Sequence, residues 1–202
     1  IDKQHGWVVG NNGVILRTEN GGGDWVVINS PTNENLRAVE FLNENTGVAA
    51  GDNGALIKTE DAGLTWEMIA LNSTISFCDI SIAGQKIWII GDDNNSGDLF
   101  CSNDGGNTWE MIYTMTAPNN WFSSIYFTDE ENGCLTQCFT SFWWSGTIIK
   151  TSHDGGLTWN EGITIYNDWL GSMSFCNSSI GYCKGYYDGC YKTEDGGLTW
   201  TV

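Results

Sequence analysis

The chain is poor in basic residues, in proline and in long apolar runs. Eight Lys and Arg stand against 25 Asp and Glu, a formal net charge of −17. Binding to duplex DNA or to RNA rests on neutralising phosphates, so this balance argues against a nucleic-acid partner. The surplus of acid serves solubility or favours a cationic partner. No stretch approaches the ~20 apolar residues that span a bilayer, so direct membrane insertion is not expected. No secretory leader is visible before Ile1, and the expectation is a processed chain or a piece of a longer one. The seven cysteines include no CxxC pair, which leaves zinc and thioredoxin-type chemistry without support. Their odd number also means that they cannot all pair internally. Buried thiols are one reading. Disulfides between neighbouring strands, with Cys183 and Cys190 flanking one short hairpin, are the other, and they would imply an oxidising compartment. No metal and no cofactor is expected.

Proline, at two residues, contrasts with 26 glycines and 11 tryptophans. That combination suits short strands joined by tight turns.

The dominant feature is an internal repeat. Thr18–Trp25 (TENGGGDW) recurs as Thr59–Trp66 (TEDAGLTW), Ser102–Trp109 (SNDGGNTW), Ser152–Trp159 (SHDGGLTW) and Thr193–Trp200 (TEDGGLTW). All five fit Ser/Thr-x-Asp/Asn-x-Gly-x-x-Trp. A period in the low forties, stretched once to 50 residues, is that of a four-stranded propeller blade. The motif has a mechanical reading. An Asp or Asn side chain accepts nearby backbone N–H groups and closes a turn. The Gly two residues later adopts a positive φ, and the Trp packs between blades as the next strand begins. Its aspartates are therefore expected to be structural.

Alternating or glycine-bounded apolar segments fill the rest of each repeat. They predict strands A to D, from the inside of the propeller outward. The fold class expected is all-β, a β-propeller of four-stranded antiparallel blades with five repeats visible, in a ring of five blades or as part of a larger one. The blades fall at about 1–30, 31–71, 72–115, 116–165 and 166–202 of a single domain. The first repeat shows B, C and D but no A, and the last D strand has only two residues after Trp200.

The five boxes and the glycine-spaced run Gly6–Gly13 resemble the BNR/Asp-box superfamily, and in texture the photosystem II assembly-factor-like propeller group. The resemblance implies the propeller fold. It does not choose a function, because its relatives include sialidases, xyloglucanase-type glycosidases and sortilin-type receptors. Sialidases of this superfamily use three arginines, whereas this chain has only Arg17 and Arg37. Arg17 directly precedes a box, where Lys58 and Lys192 stand in the equivalent place, so it reads as a repeat position.

If strands alternate in direction, the boxes and A–B turns share one end, and the B–C turns and D–A loops the other. Relatives usually place their sites at that second end. Its acidic residues, Asp52, Asp92, Asp93, Asp98, Asp168 and Asp188, fall mostly in Gly/Asn-rich turns, where Asp is ordinary. A two-carboxylate glycoside hydrolase acting on polysaccharide is the alternative function. The same end carries aromatics that the repeat does not require. Blade four has an enlarged B–C connection at 137–146 containing Trp143 and Trp144, and nearby stand Trp121, Trp169, Tyr186 and Tyr187. Exposed aromatics suit a protein hot spot or sugar stacking. These six residues are the candidate ligand-binding site, with no catalytic residue assigned. The expected function is a non-catalytic propeller, extracellular, at the cell surface or periplasmic, that mediates protein or carbohydrate binding or assembly. Sequons occur at Asn72, Asn94 and Asn177.

Overall fold

A computed structural model describes residues 2–93, 96–187 and 189–202. Among these residues the chain forms five antiparallel sheets arranged in sequence order. Blade one holds β1 (Gly6–Val9), β2 (Ile15–Thr18) and β3 (Val26–Ile28). Blade two holds β4 (Leu36–Phe41), β5 (Gly47–Gly51), β6 (Leu56–Thr59) and β7 (Glu67–Met68). Blade three holds β8 (Ser76–Ala83), β9 (Lys86–Asp92), β10 (Gly97–Ser102) and β11 (Glu110–Met115). Blade four holds β12 (Asn120–Phe127), β13 (Gly133–Thr140), β14 (Ser145–Ser152) and β15 (Asn160–Tyr166). Blade five holds β16 (Leu170–Phe175), β17 (Gly181–Gly185) and β18 (Cys190–Thr193), and Thr201 bridges to Lys192 where a fourth strand would lie.

The Asp boxes act as the sequence predicts. In the third, the Ser102 hydroxyl donates to Asp104 Oδ1 at 2.8 Å and accepts the Gly106 N–H at 2.8 Å. Asp104 in turn accepts the N–H and hydroxyl of Thr108 at 2.8 and 2.6 Å. The same bonds recur around Asp61, Asp154 and Asp195. The turn needs two successive left-handed residues, not one. Ala62 (φ 61°) and Gly63 (φ 77°) occupy them in the second box. The first of the two is the less expected, because an alanine pays for that conformation.

No single core exists. Four apolar clusters lie between successive blades, and the box tryptophans of blades two to five, Trp66, Trp109, Trp159 and Trp200, each join the cluster between their own blade and the one before. Trp66 meets Phe41 edge-on at 5.9 Å, Trp159 meets Phe127 at 6.0 Å, and Trp200 meets Phe175 at 6.0 Å. Tryptophans on two B strands reach across to the next box. Trp7 Nε1 donates to Ala62 O at 3.1 Å, and Trp88 Nε1 to Gly155 O at 2.9 Å. Arg17 and Lys58 do likewise from the C strands, to Ala62 O and Asn107 Oδ1, each at 2.7 Å. Arg17 is thus an inter-blade fastener, as its repeat position implies.

All seven cysteines are free. The disulfide reading is corrected by register: Cys183 pairs with Tyr191 and Cys190 with Lys184, so the two thiols project from opposite faces of one hairpin. Cys101, Cys134, Cys138 and Cys183 are buried, and burial pushes the Cys134 and Cys183 thiols up to about 12. They behave as small apolar side chains.

Candidate functional site

Hydrogen bonds define the two ends of the propeller. In blades two to five a box amide donates to the A–B turn of its own blade, as in Gly105 N to Gln85 O at 3.2 Å and Gly155 N to Glu131 O at 2.9 Å, and in blade one Gly21 N donates to Gln4 O just before β1. At the other end B–C turns bond to D–A loops, as in Asp52 N to Asn35 O at 2.9 Å and Thr140 N to Asn119 O at 3.0 Å. All six candidate aromatics lie at this second end.

The structure divides them. Trp121 and Trp169 meet at 5.7 Å with planes 68° apart. Trp169 lies 6.3 Å from both Tyr186 and Tyr187, which stand 4.8 Å from each other. These four form one continuous cluster between blades four and five. Trp143 and Trp144 stand apart from it. Trp143 packs on Phe142 at 4.8 Å, while Trp144 faces Tyr166 at 6.0 Å. Cross-strand register explains the division: Trp121 pairs with Cys138 and Asn120 with Phe139, so Trp121 and Phe139 project from opposite faces of blade four.

The segment 137–146, expected as an enlarged connection, is corrected to an extended hairpin. Strands β13 and β14 continue to Thr140 and resume at Ser145, paired throughout. Only Ser141–Trp144 turn, closed by Ser141 N to Trp144 O at 2.7 Å. β-branched and aromatic residues on the two arms, Thr136, Phe139, Thr140, Thr147, Ile148 and Ile149, keep the ladder going. Phe142 and Trp143 project from the tip, 89% and 79% exposed. A groove of about 710 Å³ runs beside this tip, walled by Phe142, Trp144 and Tyr166 and edged by Asn119 and Asn120.

Asp168 is also corrected: it is not an ordinary turn carboxylate. It is fully buried, and its Oδ1 accepts the N–H groups of Tyr186 and Tyr187 at 2.8 and 2.9 Å. Oδ2 accepts the Tyr191 hydroxyl at 3.2 Å. A Cβ on Gly185 would fall 2.3 Å from that oxygen, so glycine is required there. A buried anion satisfied by several donors is a rigid anchor, and here it sets the two exposed tyrosines beside Trp169. Asp52 has a comparable task. It accepts Arg37 Nε at 2.5 Å and Asn35 Nδ2 at 2.9 Å, and the guanidinium holds its carboxyl below the usual range. Asp98 accepts the Thr114 hydroxyl at 2.9 Å. Asp92 and Asp93 line a cavity of about 540 Å³ whose other walls include Arg37 and Trp121. Asp188 and Asn94 lie outside the described residues.

The central passage holds carboxylates that the sequence patterns did not single out. Glu40, Asp79, Ser124, Tyr126 and Ser172 line a cavity of about 420 Å³. Burial, then the charge of Asp79, raises the Glu40 carboxyl to about 8. Burial also raises Asp79. Both sit on inner strands that do not pair with one another, and side chains stitch these strands together. Asp79 Oδ2 accepts Ser124 Oγ at 2.7 Å and Ile125 N at 2.9 Å. Ser124 Oγ accepts Met173 N at 3.1 Å, and Ser81 Oγ accepts Phe127 N at 2.8 Å. These groups therefore have a structural task. The signal in sequence is their shared position on successive A strands. Among the described residues, no group of three His, Cys, Asp or Glu is placed to hold a metal ion. Among these residues, no helix is long and apolar enough to cross a membrane.

Comparison with known proteins agrees with this geometry. The family model described as photosynthesis system II assembly factor YCF48 matches residues 1–75. Comparison with curated proteins gives no match. A solved structure titled YCF48 bound to D1 peptide is 17% identical, with a TM-score of 0.53, covering 99% of this chain and 77% of that one. YCF48 from Cyanidioschyzon merolae is 18% identical, with a TM-score of 0.55, covering 93% and 76%. A chain from a nidogen–laminin complex is 12% identical, with a TM-score of 0.65, covering 95% and 85%. The chain is an Asp-box β-propeller similar to the photosystem II assembly-factor group.

Proposed function

We propose that this propeller is a non-catalytic protein-binding module, engaging its partner at the end that carries the B–C turns and D–A loops. The observation that carries the reading is the cluster of Trp121, Trp169, Tyr186 and Tyr187, held from beneath by buried Asp168. Aromatic side chains bury large areas at small entropic cost, and a preorganised cluster avoids ordering costs on binding. The solved relative bound to a peptide, cited above for its fold, lends support. Trp143 and Trp144 belong to the same proposal as an outlying patch at the hairpin tip. The extracellular, cell-surface or periplasmic setting is also proposed; fractionation of expressing cells tests it, and a cytoplasmic pool would overturn it.

Selection of a displayed random-peptide library against the full chain, beside a glycan array, tests the binding reading. Saturable peptide binding that Trp169→Ala abolishes supports it. Glycan binding alone, or release of reducing sugar from a polysaccharide panel, overturns it.

A further inference from the structure

The groove beside the β13–β14 hairpin differs from the cavities beside Trp121 and in the central passage, because none of its walls carries a charge. The two stretches that supply most of it, 111–128 and 134–149, hold no Asp, Glu, Lys or Arg, in a chain with 8 basic and 25 acidic residues. Tyr166 stands in the middle of the aromatic wall, 6.5 Å from Phe139 and 6.0 Å from Trp144, with both rings steeply inclined to its own. Floor and wall are fixed to each other. Thr140 N donates to Asn119 O at 3.0 Å, and Asn167 N, just past Tyr166, donates to Ser145 O at 2.8 Å. The groove is thus preformed, and little ordering entropy is lost on binding.

This geometry limits the occupant. The wall is the face of β13, β14 and β15, whose backbone groups pair with one another, so an incoming strand finds no edge to extend within the groove. A charged side chain would lose hydration there and meet no counter-charge. The polar contributors, the Asn119 and Asn120 amides, the Trp144 indole and the Tyr166 hydroxyl, are all able to donate. A polyproline II segment supplies the complement. It has no internal hydrogen bonds, so its carbonyls are free to accept. Proline brings no N–H that needs an acceptor, and its ring is apolar surface for an aromatic wall.

Resting on the reading that this end binds protein, we infer that the groove takes an uncharged, proline-containing segment of the partner in polyproline II conformation. Its proline rings lie against Trp144 and Tyr166, and its carbonyls accept from the Trp144 indole and the Asn120 amide. The cluster around Trp169 and this groove are then two separate contacts of one partner.

Two acetylated and amidated peptides test this on the full chain: Gly-Pro-Leu-Pro-Pro-Leu-Pro-Gly, and the same sequence with every Pro replaced by Ala. Binding is read from the shift of the Trp144 indole N–H resonance during titration. The proline peptide is expected to bind at least about tenfold more tightly, because its backbone is already extended. Its affinity should be the same at about 50 and about 500 mM salt, since neither surface is charged. Trp144→Ala, in an exposed turn, should weaken binding by at least about tenfold. Trp144→Phe keeps a ring without the N–H and should weaken it less, and Trp169→Ala should leave it unchanged. The indole signals of Trp66 and Trp88, buried between blades, report that each variant is folded. Equal binding of the two peptides overturns the inference, as does a response to the proline peptide at Trp169 in place of Trp144. A shift of Trp144 by cellohexaose, with none by the proline peptide, overturns it in favour of a sugar site. No shift with any of these ligands also overturns it. Peptide capture through Trp169 in the library selection would then show that the binding reading of this end stands without the groove.

Discussion

The carboxylate of Asp168 accepts the backbone N–H of Tyr186 at 2.8 Å, from a position with no exposed surface. That bond, with its twin to Tyr187, joins the D–A loop of one blade to the B–C turn of the next. The exposed tyrosines therefore depend on a residue that no partner touches. Asp168→Ala removes the acceptor of two part-buried amides and the buried Tyr191 hydroxyl, and the expected loss is about 3 kcal/mol. Asp168→Asn keeps one acceptor and should cost less. Urea denaturation followed by tryptophan fluorescence measures both; a loss below about 1 kcal/mol for Asp168→Ala would show that the carboxylate is not the anchor.

Glu40 offers a pH test. Its carboxyl is raised from 4.5 to about 8, so the folded chain holds that proton more tightly than the unfolded one. Its contribution to stability is complete below pH ~4.5 and is lost as pH rises through about 8. Glu40→Gln has no charge to bury. It should match the parent near pH 5 and exceed it near pH 9 by on the order of 2 kcal/mol, after allowance for the solvent that reaches this half-buried group. Thermal melts across that range check the crossover, and a constant offset at all pH values would refute it.

The second left-handed position of the box separates inter-blade packing from turn strain. A Cβ at Gly63 would lie 2.3 Å from Trp7 Nε1, across the blade boundary. At Gly22 it would meet nothing closer than 3.7 Å, from Trp25 of the same box. Both have positive φ, 77° and 89°. Gly22→Ala should therefore cost about 1–2 kcal/mol for backbone strain alone, and Gly63→Ala about 3 kcal/mol or more. Chemical denaturation of the two single variants reads the difference. Similar losses would mean that the Trp7 contact yields easily.

Trp143 and Trp144 should be dispensable for folding. Both are exposed in a turn closed by Ser141. Replacing both with Ala is expected to change stability by no more than about 0.5 kcal/mol and to weaken partner binding less than Trp169→Ala does. A collapse of the fold would show that the hairpin tip is held by its aromatic pairs.

Local chemistry in the sequence determined the blades. Each box carries its own hydroxyl, carboxylate, glycines and tryptophan within eight residues, and these close the turn on themselves at Asp61, Asp104, Asp154 and Asp195 alike. Spacing between boxes then set the blade period. The B–C and D–A end was legible for the same reason, since strand alternation follows from consecutive hairpins. What only the tertiary structure decided involves residues that meet across blades. Nothing in the spacing of Trp121 and Trp169 shows that they touch, or that Trp144 packs on Tyr166 instead. Strand register decides it, because one residue of shift sends a side chain to the opposite face. Asp168 looked like a loop residue because its three donors come from the following hairpin, 18 to 23 residues later. The Glu40 and Asp79 carboxylates gained their raised affinity for protons only when four inner strands converged on one passage, where burial, a property of the assembled fold, outweighs what each residue carries alone.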